Sequence, residues 1–174
     1  MVSEKGLIHV YTGEGKGKTT AAIGLGVRAL GAGFKVYMIQ FVKGSISSEI
    51  NILKELKDFT VVQFGRDSFI KRNNIEQIDR DIAHRGLTHA KEVITSGLYK
   101  LVILDEINVA INKGLISLLD VIDLINSKPE HVELVLTGRD APFEIIEHAD
   151  IVSEILNIKH PYVKGMKNRI GIDL

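Results

Sequence analysis

A chain of 174 residues is about one domain's worth of sequence, so residues 1–174 are expected to form a single domain. With no Cys it has no disulfide staple, no Cys-held zinc or iron–sulfur cluster and no thiol nucleophile. Its 22 Lys+Arg balance 22 Asp+Glu, which argues against a nucleic-acid or anionic-membrane partner; no apolar run nears the ~20 residues of a membrane span, so a cytoplasmic protein is expected.

Apolar runs alternate with longer amphipathic stretches, the pattern of a parallel sheet covered by helices. Leu7–Tyr11 reads as a short buried strand that leads into a glycine-rich turn. Lys18–Ala32 suits a helix, with Ala21, Ala22, Leu25 and Ala29 recurring at helical spacings and Gly31 and Gly33 at its end. Lys35–Phe41 is the second strand, Ser48–Leu56 a short helix and Thr60–Phe64 a third strand. Gly65–Asn74 is polar and aperiodic, as a surface loop is. Ile75 opens a long helix with Ile78, Ile82, Ala90 and Val93 or Ile94 on one face, ending near Gly97. Leu101–Leu104 is a buried strand ending in Asp105 and Glu106. Leu115–Ile125 is apolar on several faces and predicts a buried helix or helix pair. His131–Leu136 is a strand followed directly by Thr137-Gly138-Arg139. Pro142 suits the first turn of a helix to about Ala149, Ile151–Ile155 is a last strand, and Asn157–Leu174 is a basic, glycine-containing tail. The elements make an α/β domain with at least five parallel strands.

Between the first strand and the first helix lies Thr12-Gly13-Glu14-Gly15-Lys16-Gly17-Lys18-Thr19-Thr20. Gly17-Lys18-Thr19 match the end of the phosphate-loop pattern G-x-x-x-x-G-K-[ST], while Thr12 stands where the first glycine would be. Glycines let backbone N–H groups turn inward toward phosphate oxygens, and the helix beginning near Lys18 adds the positive end of its dipole. Lys18 brings a full charge, Lys16 a second one, and the Thr19 hydroxyl is a ligand for Mg²⁺. These residues predict nucleotide binding.

The strand ending in Asp105-Glu106 is the natural source of an acid for that Mg²⁺, directly or through water, with either carboxylate as the ligand. Glu106 is alternatively a base acting on water, which would make the protein a hydrolase. Arg139 follows another strand end on the same sheet edge, where ligands of open α/β sheets collect, and is a candidate for an anionic group. The six histidines are scattered; His84 and His89, five apart, do not share a helix face, which argues against a metal site there.

With these residues in place the chain resembles the ATP:corrinoid adenosyltransferases of the CobA/CobO/BtuR type along nearly its whole length. The resemblance rests on Thr12 through Ala22, Arg28–Gly33, Gln40-Phe41-Val42-Lys43-Gly44, Leu104-Asp105-Glu106, Thr137-Gly138-Arg139, Ala149-Asp150, Lys159-His160 and Gly171-Ile172-Asp173. It implies a RecA-like phosphate-loop NTPase fold with a mostly parallel central sheet flanked by helices. The implied reaction transfers the 5′-deoxyadenosyl group of ATP to the cobalt of a reduced corrinoid, releasing triphosphate. A homodimer and an electron-donating reductase are implied as well. Co(I) is itself the nucleophile, so the protein's task is to position ATP and stabilise the departing triphosphate, work expected of Lys16, Lys18, Arg139 and the loop. By the same resemblance Thr20, Arg28, Gln40 and Lys43 fall near the nucleotide or corrinoid, and His160 near a corrinoid or phosphate.

Two departures stand out. Larger members carry a segment before the first strand that helps cover the corrinoid, whereas only Met1–Gly6 precede Leu7 here. Where many members have an aromatic stretch at the corrinoid's lower face, this chain has Gly65-Arg66-Asp67-Ser68-Phe69-Ile70, which leaves Phe69, with Ile70 beside it, for that role. Two other readings of the residues are a phosphate-loop ATPase or phosphotransferase, and a binding module switched by ATP.

Overall fold

The structure, a computed structural model, describes residues 5–44, 47–66, 75–159, 165 and 169–172. Six strands form one sheet: β1 (Ile8–Thr12), β2 (Val36–Phe41), β3 (Phe59–Phe64), β4 (Leu101–Asp105), β5 (Glu133–Thr137) and β6 (Ile151–Glu154). Their order is β3-β2-β4-β5-β1-β6, and every neighbouring pair is parallel. The helices are α1 (Lys18–Gly31), α2 (Ser48–Glu55), α3 (Gln77–Ser96), α4 (Ile107–Asn112), α5 (Leu118–Asn126) and α6 (Phe143–Glu147).

Parallel strands covered on both faces read as continuous apolar runs, and successive side chains leave on opposite faces. β4 shows this directly. Leu101 and Ile103 join the core beneath α1 and α2, with Ala22, Ile50, Leu53, Met38 and Val135. Val102 and Leu104 join the core on the other face, with Ala83, Ala90 and Ile94 of α3 and Val121 and Leu124 of α5. β6 is different: it is the edge strand, and all four of its residues are exposed. No helix among the described residues is long and apolar enough to cross a membrane.

The strands and the helices α1, α2 and α3 fall where the periodicity predicts them, with ends moved by one or two residues. Gly31 lies inside α1 and Ala32 caps it. The larger differences lie after β4. The helix α4 is not foreseen by the sequence pattern, because six residues, three of them β-branched, carry too little periodicity. Leu115 and Ile116 are buried in a connection, and α5 starts only at Leu118. Pro142 is the N-cap of α6, a position earlier than the first turn, and that helix ends at Glu147.

Candidate functional site

Because all six strands run the same way, their C-terminal ends lie along one edge of the sheet. β5 is inserted between β1, which feeds the phosphate loop, and β4, which ends in the acids. The register then sets a row of polar residues across adjacent strands: Gln63 faces Gln40, Gln40 faces Asp105, and Thr137 follows Leu136, the partner of Leu104.

Asp105 is the centre of that row and is completely buried. A buried carboxylate is tolerable only if it is well bonded, and four donors surround this one. Its Oδ1 accepts from Thr19 Oγ1 at 2.8 Å and from Thr137 Oγ1 at 2.7 Å. Its Oδ2 accepts from Gln40 Nε2 at 3.0 Å and is ion-paired with Lys43 Nζ at 3.5 Å. Gln63 Nε2 donates to Gln40 Oε1 at 3.0 Å and so fixes the amide that faces Asp105. Burial pulls the Lys43 ammonium down, but Asp105, Glu106 and Glu49 together hold it above the ordinary lysine value.

Glu106 comes next in the chain with φ 61, the left-handed region that a non-glycine residue seldom adopts. Its backbone N–H donates to Thr137 Oγ1 at 2.9 Å, so a single hydroxyl serves both acids. Burial, and then repulsion from Asp105, push the Glu106 carboxyl above the ordinary glutamate value against the pull of Lys43, Lys18 and Arg139. A cation placed beside it would relieve that cost.

The phosphate loop turns at Gly17, whose φ of 122 a side chain would strain, and α1 follows at once. Lys18 is buried, and its Nζ donates to the carbonyls of Gly13 at 2.6 Å and Gly15 at 2.7 Å. Burial depresses its pKa, only partly offset by Glu106, Glu14 and Asp105, so its charge is poorly compensated and suited to meeting an anion. One loop amide is already engaged: the N–H of Gly15 donates to Ile155 O at 2.7 Å and does not point into the loop. Lys16 is exposed and donates to Ile172 O at 2.6 Å. Arg139 and Glu14, both more than half exposed, pair across the loop at 3.2 Å.

The structure thus brings Thr12, Gly13, Glu14, Gly15, Gly17, Lys18, Thr19, Gln40, Lys43, Asp105, Glu106 and Arg139 to one sheet edge. Thr20 is exposed beside Thr19 on α1. Arg28 is not part of the group: it occupies the last turn of α1, about 15 Å of helical rise beyond Lys18. Phe69 and His160 lie outside the described residues. Thr137 and Gln63 join the site without having been singled out as site residues in the sequence. Their signal is the strand order, which places them beside Asp105 and which chain order does not reveal.

Fold and site together define a phosphate-loop nucleotide-binding protein with a RecA-like sheet. A KaiC-like protein of Pyrococcus horikoshii superposes with a TM-score of 0.53 at 16% identity, covering 86% of this chain and 73% of that one, a likeness of fold. Residues 4–174 match the family model described as ATP:corrinoid adenosyltransferase BtuR/CobO/CobP. The corrinoid adenosyltransferase of Escherichia coli K12 is 36% identical over 172 residues, which are 98% of this chain and 86% of that protein. An uncharacterised protein of Nostoc sp. is 38% identical over 172 residues, and there the match spans 90% of this chain but 45% of the other. The chain belongs to the ATP:corrinoid adenosyltransferase family.

Proposed function

We propose that this chain transfers the 5′-deoxyadenosyl group of ATP to the cobalt of a reduced corrinoid, with the triphosphate in the loop and Mg²⁺ held by Thr19 and Glu106. The observation that carries the reading is the phosphate loop closed by Lys18 and Thr19 against a buried acid, in a chain that matches the family over residues 4–174. In the reaction the cobalt's electron pair forms the Co–C5′ bond. The C5′–O bond breaks, and its electron pair leaves on the triphosphate. No protein nucleophile is consumed. The chain's own contribution is therefore positioning and charge: Lys18 and Arg139, with Lys16 once it leaves the Ile172 carbonyl, meet the negative charge that the leaving group carries.

The donor set fits Mg²⁺, which takes hard oxygen ligands and keeps several waters and phosphate oxygens. No group of three or more His, Cys, Asp or Glu that could hold a metal occurs among the described residues, so phosphate and water are left to complete the shell. Asp105 already accepts from three side-chain donors and pairs with a lysine, which favours Glu106 as the direct ligand and Asp105 as the residue that orients the Thr19 hydroxyl. When bound, the ion supplies charge that neutralises the polyphosphate. Gln40 and Lys43 hold Asp105. Thr20, Phe69, His160, the homodimer and the electron-donating reductase belong to the proposal through the family alone, whereas the single domain over residues 1–174 and a cytoplasmic setting rest on the length and composition of the chain.

The test is to incubate the protein with Mg-ATP and chemically reduced corrinoid, following the corrinoid spectrum and the phosphate products together. Adenosylated corrinoid with one triphosphate per turnover is the expected result, and Lys18→Ala should remove at least nine-tenths of it, on the order of the 1.4 kcal/mol that a tenfold loss represents. Corrinoid-independent release of orthophosphate and ADP would instead favour the ATPase reading with Glu106 as base.

A further inference from the structure

Arg139 is the basic side chain that reaches the site from the end of β5, apart from the phosphate loop and from Lys43 beyond β2. It stands on the turn between β5 and α6, and a long side chain rooted in a turn is only as well placed as the turn itself. That turn is gripped from two directions by groups with no other evident task.

On one side is the start of the phosphate loop. Thr12 stands where the phosphate-loop pattern has its first glycine, and the structure gives its hydroxyl an occupation. Thr12 Oγ1 accepts the backbone N–H of Ala141 at 3.1 Å, two residues beyond Arg139. The neighbouring carbonyl of Tyr11 accepts the N–H of Gly138 at 3.1 Å. On the other side is α4. Asn108 and Asn112 are one helical step of four apart and so share a face. Asn112 Nδ2 donates to Asp140 O at 2.7 Å and to Arg139 O at 3.2 Å. Asn108 Nδ2 lies 3.5 Å from Gly138 O. The approach is close: a Cβ at position 138 would come within 2.9 Å of Asn108 Cβ and 3.0 Å of Val109 N, and φ there is 135. Asp140 completes the bend with φ 51. Backbone so over-determined holds a conformation that the chain alone would not choose.

We infer that Thr12 and Asn112 are positioning residues for Arg139, clamping the turn 138–141 between the phosphate loop and α4 so that the guanidinium is held over the loop before ATP arrives. The exposed pair with Glu14 is weak enough to exchange for a triphosphate oxygen. The inference rests on the reading that Arg139 meets the triphosphate, and it accounts for two features that the reaction leaves unexplained: the threonine in place of glycine and the Asn-x-x-x-Asn face of α4.

The experiment is a double-mutant cycle on the full chain with Arg139→Ala, Asn112→Ala and the double variant, varying ATP and reduced corrinoid in turn with the other saturating, and recording kcat/KM, KM for each substrate and Tm. Asn112 is exposed, so its replacement leaves the core intact. Arg139→Ala should lower kcat/KM for ATP by roughly 10- to 100-fold, the worth of a hydrogen bond to a charged group. Asn112→Ala should lower it several-fold, leave KM for the corrinoid unchanged, and have no further effect once Arg139 is gone. Thr12→Val should behave as Asn112→Ala does, with Thr12→Ser restoring activity. Equal losses from Asn112→Ala in both backgrounds, or none in either, would overturn the clamp while leaving Arg139 at the triphosphate. An unimpaired Arg139→Ala would remove the role of Arg139 itself, and the clamp with it.

Discussion

Thr137 holds two acids with one hydroxyl, donating to Asp105 Oδ1 and accepting from the Glu106 N–H. It is completely buried, so neither bond has water as a substitute. Thr137→Val keeps the shape and strands the Glu106 N–H. The strained φ of Glu106 then loses the contact that fixes it, and the carboxyl drifts from the place proposed for Mg²⁺. The expected result is a tenfold or larger fall in kcat at saturating ATP and a raised Mg²⁺ requirement, with about 1–3 kcal/mol of stability lost. Thr137→Ser, which keeps the hydroxyl, should recover most of both. A valine variant with normal Mg²⁺ dependence would show that the hydroxyl serves packing alone. Asp105 and Glu106 are legible in the sequence because acids ending an apolar run are conspicuous. Thr137 is not, since its relation to them exists only once β5 lies between β1 and β4.

Among the elements, α3 has the most elaborate beginning. Its N-cap Glu76 and Asp79 form a reciprocal capping box, and Arg66, just past β3, adds both arms of its guanidinium to Asp79 at 2.6 Å. Burial raises the Asp79 carboxyl, but Arg66 and the Glu76 N–H lower it further, leaving it below the ordinary aspartate value of 3.8. A carboxyl whose folded pKa is depressed contributes stability that is fully present above the unfolded value and is lost as pH falls through the folded one. Asp79→Asn should therefore be less stable than the native chain from pH 5 upward, by about 2–4 °C in Tm for a loss near 1 kcal/mol. The gap should close below the native Asp79 pKa. Paired thermal melts at pH 7 and in strong acid check it; a gap that persists in acid would assign the loss to shape and not charge. The helix α3 is long enough for its apolar face to be read from the sequence, whereas the contact that reinforces its cap comes from Arg66, 13 residues earlier. The six-residue α4 lies at the other extreme, visible neither as a period nor through its Asn108 and Asn112 face, which makes sense only against the turn that it grips.

At the scale of the molecule, the site joins four strands and α1: the loop follows β1, the buried acid ends β4, Thr137 ends β5, Gln40 lies on β2, and Thr19 opens α1. A ligand that bridges them stabilises the whole sheet, because it binds the folded chain and not the unfolded one. At Mg-ATP a hundredfold above its Kd the gain is about 2.7 kcal/mol, which for a chain of this size raises Tm by roughly 5–10 °C. Burial makes the Lys18 charge costly and depresses its pKa, and its Nζ donates to the Gly13 and Gly15 carbonyls. Removing that charge should thus change the melting of the protein alone by only a few degrees, while abolishing most of the rise that Mg-ATP produces. Differential scanning calorimetry of the native chain and of Lys18→Ala, each with and without Mg-ATP, separates the two effects. Chelating the metal should take away part of the native chain's rise, since the proposed contacts of Thr19 and Glu106 act through Mg²⁺. An equal rise in both proteins would move the nucleotide away from Lys18, and the loop would then have to be given up as the triphosphate site.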